Sequence, residues 1–186
     1  LKQKPKHIVF IFMESQSAWL ADFEGTQFQQ SIRKNLNKIQ KQGLSFTNYF
    51  AAGSGTISNI MRINLSIPVK RYFRLKNTAE IFKSFPDTFP RVMERQGYLP
   101  RYFYGGSLSW HRLYYFLPLI GYQKVFGESA IKNVSKHRFG VHDGDLFDLV
   151  HQKLMQAKQP TFNFIMTLSN HPPYGVPESF ISPITF

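Results

Sequence analysis

The chain has 186 residues, 23 Lys plus Arg against 11 Asp plus Glu, and a formal charge of +12. Apolar residues make up 42% of it and aromatics 16%, which supplies a buriable core and excludes a disordered polyelectrolyte. Zero cysteines exclude a disulfide scaffold, a zinc–thiolate site, an iron–sulfur cluster and a cysteine nucleophile, so any metal must be held by oxygen or imidazole.

His7 to Met13 is a continuous apolar run, the pattern of a strand buried on both faces of a parallel sheet, and it stops abruptly on Glu14. Phe28, Ile32, Leu36 and Ile39 recur at helical spacing with Arg33, Lys34, Lys38 and Lys41 between them and Gly43 just after, which predicts an amphipathic helix with a glycine stop. The lysines read as its solvated face, with anionic lipid as the alternative contact. Leu44 to Phe50 reads as a second strand. Gly53-Ser54-Gly55 reads as a turn leading into a helix that starts near Thr56.

Pro68 to Phe85 has no clean period and is expected to be a long loop. Asp87 is placed to cap a helix through Gln96, with Gly97 at its end, followed by a strand from Tyr98 to Tyr104 closed by Gly105-Gly106. Asp143 is placed to cap a helix to about Ala157, and Thr161 to Leu168 is the last strand. Strands alternate with helices, so the expected fold class is α/β, a largely parallel sheet with helices on both faces. One domain over residues 1–186 fits the length. The chain opens on Leu1 without a start methionine and stops at Phe186 without a closing element, the expectation for an excised piece of a longer protein.

Ligands in open α/β sheets gather beyond the carboxyl ends of the strands. The predicted strand ends deliver Glu14, the segment from Gly53 to Thr56, Tyr104-Gly105-Gly106, and Ser169-Asn170-His171 to one rim. A carboxylate, a hydroxyl, glycine backbone and an imidazole there can hold a divalent metal, activate a hydroxyl or cradle a phosphate. Each also has a plainer reading. Glu14 can simply end a strand, Thr56 can simply cap a helix, and Trp110 with Arg112 can pack against Tyr114, Tyr115 and Phe116. A second polar cluster, His137, Arg138, His142 and Asp143, is better explained by Asp143 as a helix cap than by metal binding. Arg62 either approaches the rim from the helix that starts at Thr56 or faces solvent.

Phe10 to Ser15, Gly53-Ser54-Gly55-Thr56, Tyr104-Gly105-Gly106 with Trp110 and Arg112, and Thr167-Leu168-Ser169-Asn170-His171-Pro172-Pro173-Tyr174 occur in this order. This order resembles the lipoteichoic acid synthase-like phosphoglycerol transferases of the alkaline phosphatase and sulfatase superfamily, over about Ile8 to Pro177. The resemblance implies a metal-binding Glu14 and a Thr56 that both contacts the metal and attacks phosphorus. It also implies phosphoglycerol contacts from Trp110 and Arg112, and a His171 beside the transferred phosphoryl group. One divalent cation is implied, Mn²⁺ or Mg²⁺, or Ca²⁺ in a sulfatase. The implied partners are a phosphorylated lipid or glycan substrate and a membrane reached through an anchor outside this chain. The implied location is the extracytoplasmic face of the bacterial cytoplasmic membrane.

Two departures qualify the resemblance. Tyr104 stands where some members carry a histidine, and the Gly-Asp-His motif that supplies an Asp-His metal-binding pair does not occur in the sequence. The expectation is therefore an enzyme in the parent protein and an inactive fragment here. Sulfatase chemistry is the alternative within the superfamily, although sulfatases normally convert a cysteine or serine to formylglycine, and this chain has Thr56 and no cysteine. A non-catalytic domain binding anionic lipid or nucleic acid is the alternative outside it. Nucleic acid is not expected, because the Lys and Arg are dispersed and the aromatics sit in apolar runs.

Overall fold

The computed structural model describes residues 3–18, 34–66, 85–177 and 179. The central sheet holds four parallel strands, in spatial order β1 (His7–Phe12), the last strand of the chain β6 (Thr161–Met166), β2 (Leu99–Tyr104) and β3 (Lys124–Phe126). A two-stranded antiparallel hairpin precedes that last strand in sequence. Its strands are β4 (Lys136–His137) and β5 (Gly140–Val141). The helices are α1 (Lys34–Gln40), α2 (Thr56–Leu65), α3 (Phe89–Arg95), α4 (Leu113–Leu119) and α5 (Asp143–Met155).

The α/β class and the helices on both faces follow the strand alternation. Even-numbered side chains of β1, β2 and β6 point to one face, where Phe10, Tyr102, Phe162, Phe164 and Met166 pack with Ile60 of α2 and Phe116 of α4. The rings of Tyr102 and Phe164 stack at 5.0 Å, and those of Phe10 and Phe164 at 4.9 Å. Odd-numbered Phe103 and Ile165 point to the other face, under Leu146, Leu149 and Val150 of α5.

This second layer does not reach β1. Val9, Ile11 and Met13 are 44%, 45% and 37% exposed, so β1 is an edge strand covered on one face among the described residues, and not one buried on both. An apolar run alone does not distinguish the two cases, because the burial of its second face depends on a neighbour elsewhere in the chain.

Three further expectations change. Leu44 to Phe50 forms no strand, and Leu44, Phe46 and Phe50 lie exposed. The cap of α3 is Thr88, whose hydroxyl accepts from the Arg91 amide and donates to the Ile120 carbonyl, while Asp87 pairs with Arg95. Asp143 does not cap its own helix. Its Oδ1 accepts from the backbone amides of Leu168 and Ser169, and its own amide donates to the Ser169 hydroxyl. The first part of the predicted Phe28 helix, with Ile32 and Arg33, and the predicted loop from residue 68 to 84 lie outside the described residues.

The amino end of the sheet is closed by a buried polar network. Arg101 donates to Asn163 Oδ1, Thr161 Oγ1 and the Lys153 carbonyl, and Asn163 donates to Thr161 Oγ1 and the Ile8 carbonyl. The register aligns the opposite end: Phe12, Met166 and Tyr104 sit side by side on β1, β6 and β2. The chain therefore leaves three adjacent strands at one level, and whatever follows them shares a rim.

Candidate active site

Glu14 follows β1 by two residues, and its backbone amide donates to Thr167 Oγ1 at 2.9 Å, which ties it to the exit of β6. The Asn170 side chain donates to the Glu14 carbonyl at 3.2 Å. Glu14 is 9% exposed, and the hydrogen bonds to its carboxylate among the described residues come from two hydroxyls, Ser15 and Thr56. Neither ion pair among the described residues involves it. A nearly buried carboxylate with hydroxyl donors and no cationic partner is costly to desolvate, and such carboxylates are commonly found beside a ligand or a metal.

Thr56 opens α2. Its hydroxyl lies 3.1 Å from Glu14 Oε2 and 3.4 Å from Oε1. The residue before it, Gly55, occupies the cap position and makes no side-chain cap, so the Thr56 hydroxyl is not spent on the helix end. A hydroxyl at a helix amino-terminus, donating to a carboxylate, has a proton acceptor beside it and a favourable dipole for the anion it would become. The turn before it is shaped by a close approach. A Cβ on Gly53 would fall 2.7 Å from Arg62 Nη1 and 2.8 Å from Ser58 Oγ. Arg62 therefore folds back onto the turn, which answers the open choice between rim and solvent. Glu14, Thr56, Gly53, Asn59 and the exposed rings of Tyr49 and Phe50 line an open cleft of about 590 Å³.

Tyr104 reaches the same rim from β2. Burial first, and then the Glu14 and Glu128 carboxylates, push its hydroxyl up to about 12. Its ring also supports Trp110, with centroids 6.0 Å apart. Trp110 is half-buried and Arg112 exposed, and both His111 and Arg112 have left-handed backbone, with φ of 46° and 56°. Trp110 and Arg112 do not line the Glu14–Thr56 cleft. Of the three aromatics weighed as their packing partners, Phe116 is buried in the core while Tyr114 and Tyr115 are 56% and 44% exposed.

His171 is one residue past Asn170. Its Nδ1 lies 2.7 Å from the Pro172 carbonyl, and its ring packs 4.4 Å from Phe139 in the β4–β5 hairpin. The structure thus joins Glu14 and Thr56 directly and brings Tyr104 and Asn170 to Glu14, while His171, Trp110 and Arg112 do not line the Glu14–Thr56 cleft. Thr167 escaped the sequence reading as a positioning residue. The register of β6 against β1 locates it, and no local pattern does.

The oxygen donors of Glu14 and Thr56 suit a hard divalent cation in kind. They fall short in number, and among the described residues no group of three or more His, Cys, Asp or Glu side chains is arranged to hold a metal.

The family model described as Sulfatase matches residues 6–183. The chain belongs to the sulfatase family. It is 26% identical to lipoteichoic acid synthase 1 of Bacillus subtilis (strain 168), across 94% of this chain and 28% of that protein. Among solved structures, the fold is similar to the lipoteichoic acid synthase LtaP from Listeria monocytogenes, with a TM-score of 0.75, 17% identity, and coverage of 92% of this chain and 42% of that one. It is also similar to the Streptococcus pyogenes phosphoglycerol transferase GacH in complex with sn-glycerol-1-phosphate, with a TM-score of 0.61, 16% identity, and coverage of 91% and 46%. The chain spans less than half the length of each of these relatives. Among the described residues, no helix is long and apolar enough to cross a membrane.

Proposed function

We propose that this chain is the part of a sulfatase-type catalytic domain that carries the nucleophile of a divalent-metal-dependent enzyme. The enzyme transfers a phosphoglycerol-type headgroup from a phosphodiester donor, a phosphorylated lipid or glycan, through a covalent phosphothreonine at Thr56. The observation that carries this reading is the contact between Thr56 Oγ1 and the Glu14 carboxylate at 3.1 Å, at the start of α2 and at the carboxyl end of the sheet.

Thr56 Oγ1 attacks phosphorus, and its proton passes to the adjacent Glu14 carboxylate or onward to solvent. An oxygen–phosphorus bond forms as the donor's alkoxide departs with its bonding pair, and His171 supplies a proton to that alkoxide. An acceptor hydroxyl then displaces Thr56, which recovers its proton. Water in place of the acceptor makes the reaction hydrolysis. Arg112 offers a planar fork to the phosphate, and Trp110 gives the glycerol carbons an apolar wall. His171 must turn from Phe139 to take part. A divalent cation, Mn²⁺ or Mg²⁺, held through Glu14 and Thr56, would lower the pKa of the hydroxyl and offset charge on the phosphate.

Two residues offer too few ligands for a stable site, so we assign the remaining ligands to a part of the domain outside this chain and expect the fragment alone to be inactive. We place the domain on the extracytoplasmic face of the bacterial cytoplasmic membrane. Sulfate ester hydrolysis is less well supported, since Thr56 cannot yield formylglycine.

The test is Thr56→Ala in the full-length protein with a phosphatidylglycerol donor. Turnover and the phosphoglycerol mass adduct on the protein should both disappear, and persistent turnover would remove Thr56 as nucleophile. A calorimetric Mn²⁺ titration of the fragment and its Glu14→Ala variant tests the ligand count. Millimolar or weaker binding is expected, and tight Glu14-dependent binding would show that the chain completes its own site.

A further inference from the structure

Two imidazoles meet at the carboxyl end of the sheet without taking part in the Glu14–Thr56 contact. His137 ends β4 and His142 follows β5, so the tight hairpin between them brings the rings to a centroid separation of 5.2 Å with planes inclined at 41°. His142 is 5% exposed. Its Nδ1 and the Nε2 of His137 are both shut off from solvent, and neither has a hydrogen-bond partner. Buried polar nitrogens are rarely left unpaired, because each forfeits the bond it made to water. Two such atoms on neighbouring rings point to a shared ligand.

The spacing identifies the class of ligand. An imidazole nitrogen sits about 2.0–2.1 Å from a bound Zn²⁺, so two rings at a tetrahedral angle have centroids roughly 5 Å apart. The same spacing would suit an N–H···N bond between the rings, but neither nitrogen makes one. Burial, and after it His142, lowers the pKa of His137, which keeps its ring neutral with a lone pair to offer. Solvent is excluded from above by the loop that follows β6. A Cβ on Gly175 would lie 2.7 Å from His137 Cβ and 3.3 Å from its Cγ, so only a glycine lets that backbone lie on the imidazole. The same loop packs His171 against Phe139 in the hairpin.

We propose that His137 and His142 form a binding site for a borderline transition-metal ion of the Zn²⁺ class, with non-protein ligands that enter with the ion completing its coordination. Two nitrogen donors favour Zn²⁺, Co²⁺ or Ni²⁺ over Mg²⁺ or Mn²⁺, whereas the oxygen donors of Glu14 and Thr56 have the opposite preference. Among the described residues no larger group of His, Cys, Asp or Glu is set to bind a metal, so the site offers two protein ligands and its ion remains exchangeable. Occupancy would fasten the hairpin beneath the loop that carries His171.

The test is a Co²⁺ titration of the 186-residue chain, followed by the visible absorption of four-coordinate cobalt, on the native sequence and on Glu14→Ala, His137→Gln and His142→Gln. The band should saturate at one ion per chain, survive Glu14→Ala, be displaced by Zn²⁺ and resist excess Mg²⁺. Each His→Gln variant should weaken binding at least about a hundredfold, beyond the loss typical of an outer-shell partner. Circular dichroism verifies the variants' fold. Zn²⁺-induced shifts of the His137 and His142 ring nitrogens in the native chain, read by NMR, give a second measurement that needs no substitution. No cobalt band, ring resonances that do not move, or binding that survives both substitutions would each overturn the site. Retention of the site in Glu14→Ala keeps its fate separate from that of the proposed phosphoglycerol chemistry.

Discussion

The two ends of the sheet use buried polar groups in opposite ways. At the amino end, Thr161 Oγ1 accepts from Arg101 and Asn163 and lies 2.7 Å from His7 Nδ1, and Arg101 spreads its guanidinium over three acceptors. At the carboxyl end, the Glu14 carboxylate meets only hydroxyl donors among the described residues, and His137 and His142 each keep a bare buried nitrogen. A saturated network fixes strand register and has nothing left to offer a ligand. An unsaturated one costs stability and keeps donors and acceptors available for chemistry.

Substitutions at the two ends should therefore separate activity from stability. Thr56→Ala in the full-length enzyme should lower turnover by about 10⁴-fold or more. It should cost under about 1 kcal/mol in urea unfolding, because Gly55 and not Thr56 caps α2. Arg101→Ala should do the reverse within the fragment, destabilising it by about 3 kcal/mol in the same measurement, since Asn163 and Thr161 lose buried partners. A large stability loss from Thr56→Ala, or none from Arg101→Ala, would dissolve the contrast.

Asp143→Ala should cost about 2 kcal/mol, the worth of charge-assisted bonds to the Leu168 and Ser169 amides, and should loosen the His171 loop in hydrogen exchange. Asp143 belongs to the carboxyl end yet positions backbone there, so it sharpens the comparison.

Tyr104 gives the contrast a pH dependence. Its hydroxyl ionises near 10 when unfolded and is pushed up to about 12 in the fold, so the folded state holds the proton more tightly. The stability from this difference is complete below about pH 10 and is lost as the pH rises toward 12. Tyr102 shifts upward through burial as well, so Tyr104→Phe should flatten the alkaline loss without removing it. An unchanged pH slope of the unfolding free energy would mean that Tyr104 ionises as freely in the fold as outside it. The smallest effect belongs to the α3 cap: Thr88→Ala should cost about 1 kcal/mol and Asp87→Ala a few tenths, measured by thermal melting.

Long elements were legible because their periodicity records which side is buried. β1, β2, β6, α2 and α5 all stand within a few residues of their predicted positions. Short ones were not. β3 has three residues and β4 and β5 two each, too few to show a period, and the hairpin that unites His137 with His142 was therefore invisible. The segment from Leu44 to Phe50 misled for the converse reason, since a strand needs a partner to receive its hydrogen bonds and none is supplied among the described residues. Thr88 and Asp87 are adjacent and both suited to capping, so composition alone could not choose between them.

The sequence by itself determined the α/β class, the order of the main strands, and the presence of Glu14 and Thr56 at positions that end a strand and start a helix. Those properties are local, written in hydrophobic period and turn chemistry. Only the tertiary structure decided that Thr56 turns to Glu14 instead of capping α2, that Asp143 serves the Ser169 loop, and that His171 rests on Phe139. Each of these choices lies between two partners of similar local merit. The parallel register of β1, β6 and β2 settles them by bringing distant strand ends to one level.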